Sequence, residues 1–230
     1  MKILVTAATG KECMIANESM LQSSHQMKGD IHFHVSGVGI PATLFSIAHE
    51  IEIQKPTLVI QVGIAGCFNI HENIYPTYVI KNEVFADIGV EENGEWKDVF
   101  DMGFLEKNIF PYTEKRLENP WLEKYNLLKL PAVAAITVNE ATTRNERIGQ
   151  YVKKYNPFLE SMEGAALHYV CLMKSIPFIQ LRTISNVVGD RHKKNWQIKP
   201  AIEHLNAALI KYIDALYSLN LHFTNSPNAS

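Results

Sequence analysis

Three polar side chains stand near predicted strand ends, which is where proteins of alternating strands and helices bind ligands. Glu12 follows a first apolar run, and Asn186 follows a second one that spans residues 178–184. Glu163 opens a helix whose remaining stripe is apolar. A carboxylate can accept hydrogens from a ligand or take a proton from water, and an amide can both donate and accept. These three residues are therefore candidates for ligand binding or catalysis.

Each candidate also has a purely structural interpretation. The stretch TGKE, which ends at Glu12, matches the S/T-x-x-E capping box, in which the acid only caps a helix. Glu163 can serve as the acidic partner of a helix dipole, and Asn186 can simply be a residue that favours turns. The residue types alone leave both interpretations open.

Two patterns that could indicate cofactors lack their partners. GVGIPA has the shape of a dinucleotide-binding turn, with Gly37 and Gly39 as its glycines, but no acid follows about 20 positions later. We therefore assign these glycines to a tight turn and to close packing between helix and strand. His32 and His34 share one face of a strand, and no third ligand follows at a metal-binding spacing. We expect no nicotinamide cofactor and no metal.

Composition narrows the class of protein further. The chain has 230 residues, of which 47% are hydrophobic, so it can bury one large core. Its net charge is −2 and it has no long basic run, which argues against nucleic acid as a partner. No apolar stretch approaches the ~20 residues that span a bilayer, and the apolar start is too short for a signal peptide. Three widely spaced cysteines suit a reducing cytosol, so we expect a soluble cytoplasmic protein.

Strand-like runs alternate with helical patterns, which is typical of an α/β fold. The predicted strands are residues 3–8, 32–36, 58–63, 78–85, 133–138 and 178–184. Helices are predicted at residues 42–54, along an apolar stripe from 162 to 173, and along another from 202 to 216. The polar segment from 89 to about 129 is an insertion of the kind that forms a lid, a subunit contact or a mobile loop. We expect one domain over residues 1–218 and a flexible tail over 219–230.

Five stretches in chain order carry a resemblance to a known family. SGVGIPA, VIQVGIAGCF, ITVNEATT, ESMEGAALHYV and FIQLRTISNVVGD resemble the nucleoside phosphorylase and nucleosidase superfamily. The likeness is greatest to the methylthioadenosine/S-adenosylhomocysteine nucleosidases and the futalosine hydrolases, and it runs from Met1 to about Leu216. It implies a central, mixed, partly barrel-like sheet flanked by helices. It also implies a homodimer, commonly with each pocket closed by the partner chain.

The resemblance assigns roles in nucleoside binding and cleavage. Glu12 matches the carboxylate that positions and deprotonates the attacking water. Met162 and Glu163 match a pair that packs beneath the ribose and accepts its hydroxyl hydrogens. Ala65 and Gly66 match small residues whose backbone faces the nucleoside.

The position of Asn186 bears on the identity of the base. It falls where adenine-specific relatives carry an aspartate that protonates the purine. An asparagine can accept from N7–H through its carbonyl and donate to O6 through its NH₂, which matches a 6-oxopurine. The resemblance together with Asn186 therefore predicts release of hypoxanthine from a purine nucleoside.

Two positions depart from the family pattern. Thr142 stands where relatives usually carry an aromatic ring that stacks on the base, and the neighbouring Thr143 is a candidate substrate-binding residue. Ile64 replaces a small hydroxyl residue in the turn after a strand. For a benzoate-bearing 5′ substituent, Arg144, Arg191 and His192 are candidate contacts only by their chemistry and by their nearness to the motifs.

The choice between phosphate and water as nucleophile depends on arginines, which bind phosphate best. Phosphorylases of the superfamily carry one near the first strand and one before the VGxxG turn. Here the first place offers only Lys11, and Gln61 occupies the second. We expect hydrolysis of futalosine to hypoxanthine and dehypoxanthine futalosine in menaquinone biosynthesis. The alternatives are a methylthioadenosine/S-adenosylhomocysteine or aminofutalosine nucleosidase, a purine nucleoside phosphorylase, or a nucleoside-binding protein without turnover.

Overall fold

The computed structural model describes residues 1–22, 30–69 and 75–224. The strands in this part of the chain are β1 (Ile3–Ala7), β2 (Ile31–Val35), β3 (Leu58–Cys67), β4 (Thr77–Glu83), β5 (Gly89–Glu92), β6 (Glu95–Asp98), β7 (Leu117–Glu118), β8 (Ala132–Thr137), β9 (Leu159–Ser161) and β10 (Phe178–Val187). The helices are α1 (Met14–Gln22), α2 (Ile40–Gln54), α3 (Leu122–Tyr125), α4 (Asn145–Tyr155), α5 (Gly164–Met173) and α6 (Ile198–Thr224). A 3-10 turn at Gly10–Glu12 precedes α1.

The main sheet closes partly on itself around β3. This strand pairs in parallel with β1 along its first half and with β10 along nearly its whole length, and its last residues also pair with β9 in antiparallel orientation. β10 continues to β4, then to β8 and back to β9, which completes a ring of five strands. β2 extends the sheet beyond β1, and β7 adds to β4. The predicted α/β fold with a mixed, partly barrel-like sheet is therefore confirmed.

Helices cover both faces of the sheet, which explains why its central strands read as continuous apolar runs. Successive side chains of a strand point to opposite faces. Accordingly, Leu4 packs in a cluster with residues of α2 and α5, whereas Ile3 and Val5 pack with residues of α6. The sheet thus lies between two helical layers, and its strand ends remain free to carry polar side chains.

All six predicted strands are present, and several elements went unpredicted. α1 and α4 were missed, as were the short strand β9 and the β5–β6 hairpin within the predicted insertion. That insertion also contains β7, whose pairing with β4 ties it to the main sheet. Residues 219–224 of the predicted tail are the end of helix α6, and residues 225–230 lie outside the described residues.

The helices of the described residues were compared with the requirements for crossing a membrane. Among the residues placed by the structure, no helix combines the length and the apolar character that a bilayer span requires.

Candidate active site

A cavity of about 350 Å³ opens at the carboxyl ends of β1, β3 and β10. Six of the seven residues predicted for the site line it: Glu12, Ala65, Gly66, Met162, Glu163 and Asn186. The exception is Thr143, which is exposed and lines a neighbouring cavity, whereas Thr142 is buried and lines the first. The fold thus gathers side chains that are up to 174 positions apart in sequence, from Glu12 to Asn186.

The carboxylate of Glu12 is buried and fixed by three hydrogen bonds. Its Oε2 accepts from the backbone N–H and the hydroxyl of Thr9, both at 3.0 Å. Its Oε1 accepts from the backbone N–H of Ile64 at 3.1 Å. The contacts with Thr9 agree with the capping-box interpretation, and the contact with Ile64 joins the same carboxylate to the end of β3. A carboxylate has about four acceptor positions, so one remains for a ligand or water.

Glu163 occupies the residue just before α5, one position outside the helix it was predicted to open. Its Oε1 accepts a hydrogen bond from the backbone N–H of Gly39 at 3.2 Å. Gly37 and Gly39 adopt φ values of 83° and 88°, a conformation that glycine tolerates best. The glycine motif therefore makes a tight turn, as predicted, and this turn also donates a backbone N–H to an acidic side chain of the cavity.

Arg182 is a buried polar residue next to the cavity that sequence reasoning missed. It lies within β10, is 1% exposed, and its Nη1 stands 3.6 Å from Oε2 of Glu163. Its Nη2 donates to Oε1 of Gln61 at 2.8 Å. A Cβ atom on Gly63 would lie 1.9 Å from Nη1 of Arg182 and 3.2 Å from Oε1 of Glu12. Gly63 is therefore required for the guanidinium to approach the two carboxylates.

The electrostatics of Glu163 reflect this setting. Burial raises the pKa of Glu163, and the nearby charge of Glu12 raises it further. The Arg182 guanidinium and the Gly39 N–H oppose these effects and lower the pKa. Two carboxylates and one guanidinium thus form a compact charged group with a net negative charge when both acids are ionised.

A second buried polar group lies behind this one. Glu83 accepts from Gln180 Nε2 at 2.9 Å through Oε1 and from the Thr137 hydroxyl at 3.0 Å through Oε2. Burial raises the pKa of Glu83 to about 7. A Cβ atom on Gly164 would lie 1.9 Å from Oε1 of Glu83, so the glycine lets the start of α5 pack against this carboxyl group.

The amide of Asn186 has a defined orientation. Its Oδ1 accepts from the Ser185 hydroxyl at 2.8 Å, and its Nδ2 donates to the backbone carbonyl of Val187 at 3.0 Å. The oxygen retains a second lone pair and the nitrogen a second hydrogen. Asn186 can therefore offer one acceptor and one donor to a ligand in the cavity.

The residues considered for ring stacking and for binding the 5′ substituent do not all lie at the same cavity. Trp196 is the one aromatic side chain among the described residues that line the cavity, and the Arg191 guanidinium stacks over its ring at 5.1 Å. Arg191 lines the cavity too, whereas Arg144 lines the neighbouring one. The His192 side chain is 88% exposed and contacts Asp190.

Metal ligation has no evident place among the residues described. Within residues 1–22, 30–69 and 75–224, no group of three or more His, Cys, Asp or Glu side chains is arranged to hold a metal ion.

Comparisons with known proteins found several relatives of moderate sequence identity. The chain is 27% identical over 151 residues to a futalosine hydrolase from Thermus thermophilus. This alignment covers 64% of this chain and 65% of that protein. It is 26% identical over 168 residues to a futalosine hydrolase from Streptomyces coelicolor, with 72% and 68% covered. A 5′-methylthioadenosine nucleosidase from Arabidopsis thaliana is 26% identical over 165 residues, with 70% and 56% covered. The alignment thus spans slightly less than two thirds of the Thermus protein.

Solved structures extend the similarity over most of the chain. The 5′-methylthioadenosine/S-adenosylhomocysteine nucleosidase of Helicobacter pylori matches with a TM-score of 0.76 and 16% identity, covering 93% of this chain and 98% of that one. This chain has the nucleosidase fold. The futalosine hydrolase of the same organism also gives a TM-score of 0.76, at 15% identity, covering 93% and 97%. No protein-family model matches. The predicted resemblance to the nucleosidase superfamily is confirmed.

Proposed function

We propose that this protein hydrolyses the N-glycosidic bond of a purine nucleoside, and that the nucleoside is futalosine. The observation that carries the proposal is the Glu12 carboxylate, held by three hydrogen bonds in the same cavity as Glu163. Cleavage of this bond passes through a cationic sugar, so two nearby carboxylates favour it electrostatically. The fourth acceptor position of Glu12 suits a water molecule, whose proton the carboxylate takes as the oxygen attacks the sugar carbon.

Glu163 has a complementary task in this proposal. The Gly39 N–H and Arg182 occupy only some of the acceptor positions of the Glu163 carboxylate. The remaining positions suit the ribose hydroxyls. Met162 lines the cavity beside it and supplies an apolar surface for the sugar. Because the Gly39 N–H and Arg182 fix the carboxylate, little reorganisation is needed when the sugar becomes positively charged.

Water is favoured over phosphate by the charges around the cavity. Of the described lining residues, only Lys11 and Arg191 are cationic, and both are exposed. Arg182 is directed to Gln61 and Glu163 and is compensated by carboxylate charge. A phosphate dianion beside Glu12 and Glu163 would meet like charge without a bidentate partner.

The choice of futalosine rests on Asn186 and on the two similar futalosine hydrolases. When N7 of a departing hypoxanthine takes up a proton from solvent, the free lone pair of Asn186 Oδ1 can accept from N7–H. The second hydrogen on Nδ2 can then serve O6. Arg191, stacked on Trp196 at the cavity, suits the carboxylate and ring of a benzoate substituent.

A methylthioadenosine-type nucleosidase is the second candidate. The similarity to the Arabidopsis enzyme and the shared fold with the Helicobacter nucleosidase favour it. It uses the same Glu12 and Glu163 chemistry and differs in the base and the 5′ substituent. Either reaction is consistent with a cytoplasmic homodimer, which we also propose, and futalosine hydrolysis would place the protein in menaquinone biosynthesis.

The deciding experiment compares substrates with and without phosphate. Purified protein is incubated with futalosine, inosine and methylthioadenosine, and released base and sugar are identified by chromatography and mass spectrometry. We expect hypoxanthine and a sugar with a free anomeric hydroxyl from futalosine, at a rate independent of phosphate. A ribose 1-phosphate product would contradict hydrolysis, and faster release of adenine would favour the second candidate.

A further inference from the structure

Glu160 lies in β9 and lines the same cavity, although nothing in the proposed reaction uses it. It is 8% exposed. Its Oε1 accepts a hydrogen bond from the backbone N–H of Thr142 at 3.0 Å. Its Oε2 is buried and has no hydrogen-bond partner among the residues that the structure describes. A buried acceptor without a donor is unfavourable, which indicates that a donor arrives with a ligand.

The sheet register places Glu160 opposite the residue that we assign to the base. Asn186 of β10 pairs with Gly66 of β3, and Gly66 in turn pairs with Glu160 of β9. Side chains at paired positions of neighbouring strands point to the same face of a sheet. Asn186 and Glu160 therefore flank Gly66 on one face, on strands that are about 10 Å apart at a spacing of about 4.8 Å per strand pair.

Gly66 leaves the space between these two side chains open. A Cβ atom on it would lie 3.0 Å from Val188 Cγ2 and 3.3 Å from Asn186 Nδ2, so a larger residue would crowd the amide. The result is a slot with a glycine floor, an amide at one side and an unpartnered carboxylate oxygen at the other. A flat ring with polar atoms on two edges fits such a slot.

We propose that Glu160 is a specificity-determining residue that accepts a hydrogen bond from N1–H of a 6-oxopurine whose N7 and O6 face Asn186. This assignment rests on the proposed function, because it needs a purine in the cavity. Hypoxanthine carries a hydrogen on N1, whereas adenine carries a lone pair there. Oε2 of Glu160 therefore attracts hypoxanthine and repels adenine, independently of Asn186.

The test measures binding of free bases, which requires no turnover. The affinities of hypoxanthine, 1-methylhypoxanthine and 2-methylhypoxanthine are determined by calorimetry with the wild-type protein. Loss of the N1 hydrogen should weaken binding by about 10-fold or more, the effect of a mispaired buried polar group. A methyl group on C2, beside N1, keeps the hydrogens on N1 and N7, so it should have a much smaller effect and controls for added bulk.

A variant separates hydrogen bonding from bulk. Glu160→Gln can keep the Thr142 contact through its carbonyl while its NH₂ replaces Oε2. We expect hypoxanthine to bind about 10-fold more weakly and adenine to bind more tightly, because N1 of adenine accepts from the new donor. Glu140→Gln, an exposed residue of the loop before Thr142, serves as the control and should change neither affinity.

The outcomes distinguish this inference from the proposed function. Equal binding of hypoxanthine and 1-methylhypoxanthine by the wild type would overturn the role of Glu160 and leave nucleoside hydrolysis intact. Failure to bind any purine base, with the protein shown to be folded by its thermal transition, would overturn both. The wild-type comparison uses no variant, so it remains decisive even if Glu160→Gln does not fold.

Discussion

The Nη1 atom of Arg182 lies 3.6 Å from Oε2 of Glu163, and both side chains are buried. Neither residue is near the other in sequence, and the pair joins β10 to the start of α5. Removing Arg182 leaves the buried Glu163 carboxylate without its cationic partner. Loss of Arg182 alone should therefore be strongly destabilising.

Arg182→Met is expected to lower the free energy of unfolding by ~3–5 kcal/mol, the usual cost of breaking a buried ion pair. Adding Glu163→Gln to it should recover part of the loss, because the Glu163 charge is then removed together with its partner. Guanidinium denaturation measures both. Lys97→Met breaks an exposed pair with Glu92 and should have a much smaller effect, because solvent screens this pair. An equally small effect of Arg182→Met would show that the buried pair contributes little.

Glu12→Gln tests the general base. The amide keeps the shape of the side chain but cannot take a proton from water, so turnover should fall by at least ~10²-fold while ligand binding persists. Thr9→Ala is the matched control, because it removes one donor to Glu12 and leaves the carboxylate. It should lose some stability and keep most of the rate. If Glu12→Gln instead loses mainly thermal stability and keeps its rate, the capping interpretation of Glu12 is correct.

Glu83 should make stability depend on pH. Since burial raises its pKa from the usual 4.5 to about 7, the folded protein holds a proton that the unfolded chain has released above about pH 4.5. The contribution is therefore full at low pH and is lost as pH rises through about 7, with a size of about 3 kcal/mol.

The measurement is the difference in unfolding free energy between wild type and Glu83→Gln at pH 5 and pH 8. Taking the difference matters because burial lowers the pKa of His168 to about 4, which changes stability with the opposite sign in the acidic range. The amide can be accommodated if Gln180 turns so that its unpartnered Oε1 accepts. A wild-type stability that falls from pH 5 to pH 8 no more steeply than that of the variant would mean that Glu83 is ionised throughout.

Much of the fold follows from local pattern. The apolar runs at β1, β3 and β10 predict buried strands because both of their faces are covered. The β5–β6 hairpin was missed although its Asn93-Gly94 turn is a strong local signal. The strand β9 gives no comparable local signal, because three residues are too few to show a periodic pattern. Its pairing also depends on strands that are distant in sequence.

Some residues around the cavity could likewise be predicted from local sequence, and others could not. Glu12, Glu163 and Asn186 could be named as candidates from the sequence because each is a polar residue beside an element boundary. Arg182 and Glu160 were missed because each lies inside a strand, where a polar residue gives no sign of its partner. Arg182 becomes intelligible only when the sheet brings it beside Glu163, and Glu160 only when the register places it across Gly66 from Asn186. Tertiary pairing, rather than local sequence, defines both residues.

Asn186→Asp tests the assignment of the base. A carboxylate can still accept from the Ser185 hydroxyl, but it loses the donor that contacts the Val187 carbonyl and faces O6 of a 6-oxopurine with lone pairs. A mispaired polar group in a closed site costs ~1–3 kcal/mol, or about 5- to 150-fold in rate. The same carboxylate supplies the acceptor that N7–H and the 6-amino group of adenine both need.

The decisive quantity for Asn186→Asp is the ratio of kcat/KM for futalosine to kcat/KM for its 6-amino analogue, measured in both proteins. Any general loss of stability from the Val187 contact affects both substrates alike and cancels in this ratio. We expect the ratio to fall in the variant, by about 5-fold or more. An unchanged ratio would assign Asn186 to the turn alone. The hydrolase proposal would still stand in that case, because it rests on Glu12, Glu163 and the scarcity of cationic side chains described around the cavity.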